Sequence, residues 1–226
     1  MMEVRTVFHK ELREIQDDIL VMGSMVNRAI LQAITALQNR DSTLARQVIT
    51  NDQKINRKKF EIEEKCIQLI ATQQPMASDL RIIVSVLNII TELERIGDYA
   101  EGNAKIAIIL GGEPPLKPLV DIPHMAEKTV DMLNKSLDAF IVHNVDAATK
   151  MIAEDSLIDN LYEQIFQELL TFMVEDPTTI THATRLIWVA HNLERSADRI
   201  TNICERIVFM VTGKMEEIGK LAALVH

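Results

Sequence analysis

Glutamate and aspartate stand four residues apart twice in this chain, as Glu94 and Asp98 in "ELERIGDYAEG" and as Glu194 and Asp198 in "NLERSADRITN". On a helix, residues four apart are surface neighbours, so each pair sets two like charges side by side at a cost of about 0.2–0.5 kcal/mol. Such an arrangement asks for a compensating cation. A second helical segment near each pair adds further oxygen donors at the same spacing: Asp52 and Asn56 in "DQKIN", Asp155 and Asp159 in "DSLID". Asp52 and Asp155 fall on seam positions where the periodicity calls for apolar side chains. Thiol-free, oxygen-rich groups of this kind suit hard cations such as magnesium, manganese, calcium or ferric iron, with zinc as a further possibility. The competing reading is a solvated acidic face neutralised by Arg95, Arg195 and Arg199, which is the commoner fate of a single ExxxD.

The elements that must position these residues follow from apolar spacing. Phe8, Leu12, Ile15, Ile19, Met22, Val26, Ile30, Ala33 and Leu37, preceded by Val4, step by three or four and define one long helix ending before "NRDS". A second helix follows the seam Val48, Asp52, Ile55, Lys59, Ile62, Cys66, Leu69, and a third the seam Ile83, Val86, Ile90, Leu93, Gly97, Ala100, Ala104, Ala107. "GGEPPLKPLVDIP", with two glycines and four prolines, then interrupts the helical pattern. Beyond it the pattern restarts: Ala126, Val130, Leu133, Leu137, Phe140; Met151, Asp155, Ile158, Tyr162, Ile165, Leu169, Phe172; and Ala183, Leu186, Ala190, Leu193, Ala197, Ile200, Cys204, Ile207.

The third and sixth helices match at an offset of 100, and the other two pairs at 103, so Asp52 answers to Asp155 and Leu37 to Phe140. Three consecutive helices in register predict an all-α chain of two tandem three-helix bundles, related by an internal repeat and a pseudo-twofold. The boundaries expected are 1–112 for the first repeat, 113–124 for a proline-rich linker, 125–214 for the second repeat and 215–226 for a tail.

Composition bounds the function. At 226 residues, 47% hydrophobic and 4% aromatic, the chain can fill a core with helix-favouring residues. A formal net charge of −9 argues against nucleic acid and against electrostatic docking on anionic lipid. The longest apolar stretches, around "RIIVSVLNII" and "AKIAIIL", are interrupted well short of the ~20 residues that span a bilayer. The N-terminus lacks an apolar export segment, so a cytoplasmic location is expected. Cys66 and Cys204 lie far apart on apolar stripes and read as buried, reduced thiols. The methionines read as core filling. No ExxH, HExxH, Walker A loop or GxSxG elbow supports an enzyme. His191 stands one turn before Glu194, but its counterpart in the first repeat is Thr91.

These motifs, with "QQPMASDLR" and long matching stretches across nearly the whole chain, resemble the PhoU family of phosphate-transport accessory proteins. The resemblance implies the tandem three-helix architecture, E(D)xxxD motifs that bind iron or zinc, and a non-enzymatic role. That role is restraint of a phosphate ABC transporter through its ATPase, and of a phosphate-sensing histidine kinase, with the membrane approached only through these partners. A homodimer is expected. Carried over by motif, the metal ligands are Asp52, Asn56, Glu94, Asp98, Asp155, Asp159, Glu194, Asp198 and Asn202. In the first copy Gly102 stands where the second has Asn202, and Asn56 where it has Asp159, so a weaker first centre is expected. A metal-dependent helical enzyme and a metal-storage or structural protein are the alternatives.

Overall fold

The computed structural model describes residues 2–214, with side chains from residue 7 onward; the seam position of Val4 and the tail 215–226 lie outside what it describes. Among the described residues there are six α-helices and no strand: α1 (Met2–Asn39), α2 (Ser42–Gln73), α3 (Ser78–Leu110), α4 (Asp121–Ile141), α5 (Val145–Glu175) and, after a single 3-10 turn at Pro177–Thr179, α6 (Ile180–Thr212). Helices α1–α3 form one bundle and α4–α6 a second. The predicted seams are the core: Ile19, Met22, Val26, Ile62, Ile83, Leu93, Leu133, Phe140, Leu186 and Leu193 are all at most 1% exposed.

The repeat extends to turn chemistry. Asp41 and Asn144, 103 residues apart, each close the preceding helix and open the next. The Asp41 amide donates to the Ala36 carbonyl and the Asn144 amide to the Ala139 carbonyl, both at 2.9 Å. The same side chains then accept from first-turn amides, Asp41 from Thr43 and Leu44 at 2.9 Å and Asn144 from Ala147 at 3.0 Å. These sharp reversals place Arg40 and His143 in the left-handed region, both at φ 55°. That conformation costs a residue with a Cβ about 1–2 kcal/mol. His143 is exposed and its side chain caps nothing, so His143→Gly is expected to stabilise the protein by about 1 kcal/mol, read as a raised urea midpoint at constant slope.

The two bundles pack side by side through α3 against α6 and α1 against α4. The α3–α6 crossing is antiparallel and keeps the pseudo-twofold: Glu92 faces Asn202, and Asn192 faces Gly102 and Asn103. Asn192 donates to Asn103 at 2.8 Å. Glu92 accepts from Arg199 at 3.5 Å and from Asn202 at 3.3 Å. On the α1–α4 side, Asn27 donates to Asn134 at 2.6 Å, and a Cβ on Gly23 would come within 2.2 Å of Leu137 Cδ1. Helices α2 and α5 are left on the outer flanks.

Two expectations need correction. The proline-rich break ends earlier than residue 124, because α4 begins at Asp121, with Ile122 already buried and Pro123 in its first turn. Proline is tolerated there since first-turn amides have no intrahelical partner. The absence of a long apolar stretch also overlooked α1, whose Val7–Asn39 portion is long and apolar enough to cross a membrane by length and composition alone. Half of its most apolar window is buried inside the protein, as the core helix of a bundle would be.

Candidate metal centre

The α2–α3 and α5–α6 pairs each bring acids from two helices together on the outer flank of a bundle. In the second bundle, Asp155 of α5 faces Asp159, Asp198 and Glu194. Burial, followed by those three charges, pushes its carboxyl up to about 7. Glu194 is raised by burial and by Asp198, against the pull of Arg195. Asp159, more exposed, is raised by burial and by Asp198. Asp155 Oδ1 and Glu194 Oε2 are both buried without a hydrogen bond; Glu194 Oε2 lies 3.3 Å from His191 Nδ1 without hydrogen-bonding geometry.

In the first bundle, Asp52 of α2 is 9% exposed and faces Asp98, Glu101 and Glu94 of α3. Burial and the charges of Asp98 and Glu101 raise it to about 6, although Asn56 Nδ2 donates to its Oδ2 at 2.9 Å. Its Oδ1 is buried without a partner. Gly97 permits this approach: a Cβ there would stand 3.2 Å from Ile55 Cδ1 and 3.4 Å from Asp52 Oδ1. Asp98 is raised by burial and by Glu94 and Glu101, with Lys59 and Arg95 pulling it down.

Orphaned buried carboxylate oxygens at three positions, aimed among other carboxylates, are the donors a hard cation satisfies. Among the described residues, however, no three His, Cys, Asp or Glu side chains are already gathered tightly enough to hold a metal ion. The unpartnered oxygens of Asp52, Asp155 and Glu194 and the all-oxygen chemistry around them fit a hard cation. Asn202 stands apart, its amide given to Glu92 across the bundle interface rather than to the acids of α5. Cys66 and Cys204 are buried and free, and burial pushes both thiols up to about 12, so neither offers a thiolate at neutral pH.

Sequence reasoning missed two participants. Glu101 extends the α3 acidic face by one more turn; it repels the Asp52 charge and pairs with Lys105 at 2.5 Å. Its signal was present, since positions 94, 98 and 101 share a helix face. Lys59, recognised only as a seam residue, reaches across to Glu94 at 3.0 Å. Arg195, expected from the sequence to neutralise the acidic face, binds Asp198 at 2.5 Å and hydrogen-bonds Tyr99 of α3, tying the second acidic pair to the bundle interface.

A family model described as "PhoU domain" matches residues 19–107 and 122–207. The "Phosphate-specific transport system accessory protein PhoU homolog" of Clostridium acetobutylicum is 39% identical over 95% of this chain and 99% of its own length. The accessory protein of the same name from Escherichia coli is 38% identical over 96% and 92%. Among solved structures, PhoU from Pseudomonas aeruginosa superposes with a TM-score of 0.85 at 37% identity, covering 92% of this chain and all of that one. The phosphate transport system regulatory protein PhoU from Streptococcus pneumoniae gives 0.86 at 31% identity, over 93% and 99%.

Proposed function

The chain belongs to the PhoU family, and on that premise we propose that it is an accessory regulator of a phosphate-specific transport system. In phosphate-rich conditions it restrains uptake by the phosphate ABC transporter and holds the phosphate-starvation response off. The observation that carries this reading is that both repeats, and not one alone, match relatives named for that system over nearly their whole length. The chain works by binding partners, without turning over a substrate: the transporter ATPase and the phosphate-sensing kinase, in the cytoplasm, as a homodimer.

Metal ions belong to the same proposal. Asp155, Asp159, Glu194 and Asp198 hold one centre, and Asp52, Glu94, Asp98 and Glu101, with Asn56 at the edge, hold the other. A bound cation would supply positive charge on an otherwise acidic surface, where a partner's acidic groups or phosphate could meet it. The residues of this chain supply the rest: Asp155 and Asp52 fix the inner edge of each centre, while α3 and α6, packed against one another, hold the two centres in a fixed relation.

Deleting the gene tests the regulatory reading. Phosphate uptake and the transcripts of the starvation response are expected to stay high in phosphate-rich medium and to return to low levels when the intact gene is restored. Normal repression in the deletion strain would reject the proposal.

A further inference from the structure

The two acidic clusters are built on matched helices, yet one seam position separates them. It is Lys59 on α2 and, 103 residues later, Tyr162 on α5. Lys59 Nζ lies 3.0 Å from Glu94 Oε1, with the two side chains only 18% and 23% exposed. A half-sequestered ammonium–carboxylate contact of this length is a charge-assisted hydrogen bond, stronger than its solvent-exposed equivalent. Tyr162 offers nothing comparable. Its ring packs at a tilt against Phe166 and His191, with centroids 6.3 and 6.0 Å away, and its hydroxyl is held protonated by burial and by the charges of Glu194 and Glu163. Glu194 Oε2 has no hydrogen-bond partner, with only His191 Nδ1 nearby at 3.3 Å.

Resting on the metal-binding reading above, we propose that Lys59 is a resident counter-ion of the first cluster. It must be displaced before a metal enters, so metal loads the second bundle first. The first cluster does not lack donors. Asp52 is nine-tenths buried with an oxygen unpartnered, and Asp98 and Glu101 face it. What distinguishes it is an ammonium already bonded to Glu94, which takes one ligand out of use and repels an approaching dication. Glu94 can bond the ammonium or a metal with the same oxygen, so occupancy of the first cluster is set by competition between them. The second cluster's own cation, Arg195, is held by Asp198 three residues along the same helix, with the two side chains 37% and 34% exposed. Solvent therefore screens that pair more than it screens Lys59 and Glu94, and the tyrosine at the equivalent place adds no second cation.

The experiment uses chelator-treated full-length protein titrated with Mn2+ alone, followed by calorimetry and by the manganese magnetic-resonance signal. Wild-type protein is expected to show a tight class of sites that Glu194→Ala with Asp198→Ala abolishes, and a weaker class that Glu94→Ala with Asp98→Ala abolishes. Lys59→Met is expected to tighten the weaker class at least tenfold and leave the tight class unchanged; the reciprocal Tyr162→Lys should weaken the tight class at least tenfold. Lys59→Gln serves in place of Lys59→Met should the methionine variant fail to fold by circular dichroism. Bound Mn2+ with both affinities unaltered in the Lys59 variants overturns the role of Lys59 while leaving metal binding intact. Wild-type protein that takes up no Mn2+ overturns the metal reading itself, and the Lys59 inference with it.

Discussion

Replacing Glu194 and Asp198 together by alanine is expected to strip metal from the second bundle and leave its helices standing. Both side chains sit one position past seam residues, Leu193 and Ala197, which are at most 1% exposed, while the two acids themselves retain contact with solvent. Truncating them opens no internal cavity of the kind that makes core substitutions costly. It also removes a like-charge pair four apart on α6, worth about 0.2–0.5 kcal/mol to the metal-free helix. Loss of an outer-shell partner alone costs about 10–100-fold in metal affinity, so removal of two direct ligands should exceed that range. Metal content by elemental analysis beside far-ultraviolet circular dichroism reads both halves; undiminished metal in the folded variant would reject Glu194 and Asp198 as ligands. The matching change at Glu94 and Asp98 is expected to release less metal, because Lys59 already competes for Glu94.

Lys59 illustrates where the sequence stops being legible. Every long helix is visible in the spacing of its apolar residues, because that spacing and the burial it produces are the same physical fact. The repeat is visible too, and the turn residues Asp41 and Asn144 confirm it at the same offset of 103. What periodicity cannot tell is which helix a side chain meets. Position 59 reads as one more seam residue; only the packing of α2 on α3 shows that its ammonium ends at Glu94. Asn202 has a partner that spacing does not reveal. Its place one turn past Asp198 suggests a ligand, and the antiparallel crossing of α3 and α6 also brings Glu92 to its amide nitrogen. Glu101, by contrast, is readable from spacing alone: it lies outside the repeated five-residue phrase but on the same helix face as Glu94 and Asp98.

Burying acids without a cation has a consequence for stability. Asp155 is raised to about 7 and Asp52 to about 6, both chiefly by burial. A carboxyl whose folded value lies above its unfolded one binds its proton more tightly in the folded state. Stability therefore falls as pH rises from the unfolded value near 4 to the folded value, and is level above it. For Asp155 the window is about pH 4 to 7. Full burial would set the loss at about 1.4 kcal/mol for each unit of separation, but this carboxyl keeps some solvent contact, which brings the expected loss down to about 1–2 kcal/mol. At lower pH the sign reverses, because Lys58 and Lys65 outweigh burial at Asp18 and hold it below the usual carboxylate range, so that stability is lost as it protonates. Chelator-treated protein is thus expected to be most stable in mildly acidic solution, near pH 4–5, and to weaken toward neutrality.

Asp155→Asn separates this cost from the function it serves. The amide keeps the shape of the carboxyl but carries no charge, so the variant's stability should change little between pH 5 and 8 and should exceed that of metal-free wild-type protein at pH 8 by about 1–2 kcal/mol. It should also bind metal in the second bundle more weakly, since an anionic ligand has been lost at the inner edge of the centre. Urea unfolding of both proteins at several pH values, with chelator and then with saturating Mn2+, checks the pair of effects. Metal binds the deprotonated carboxylates, so it should lift wild-type stability most above pH 7. A wild-type profile that stays flat from pH 5 to 8 without metal would show that Asp155 is ionised at no cost. A buried, charge-repelled carboxylate that the folded chain tolerates only at a loss is what a site maintained for binding, rather than for packing, is expected to contain.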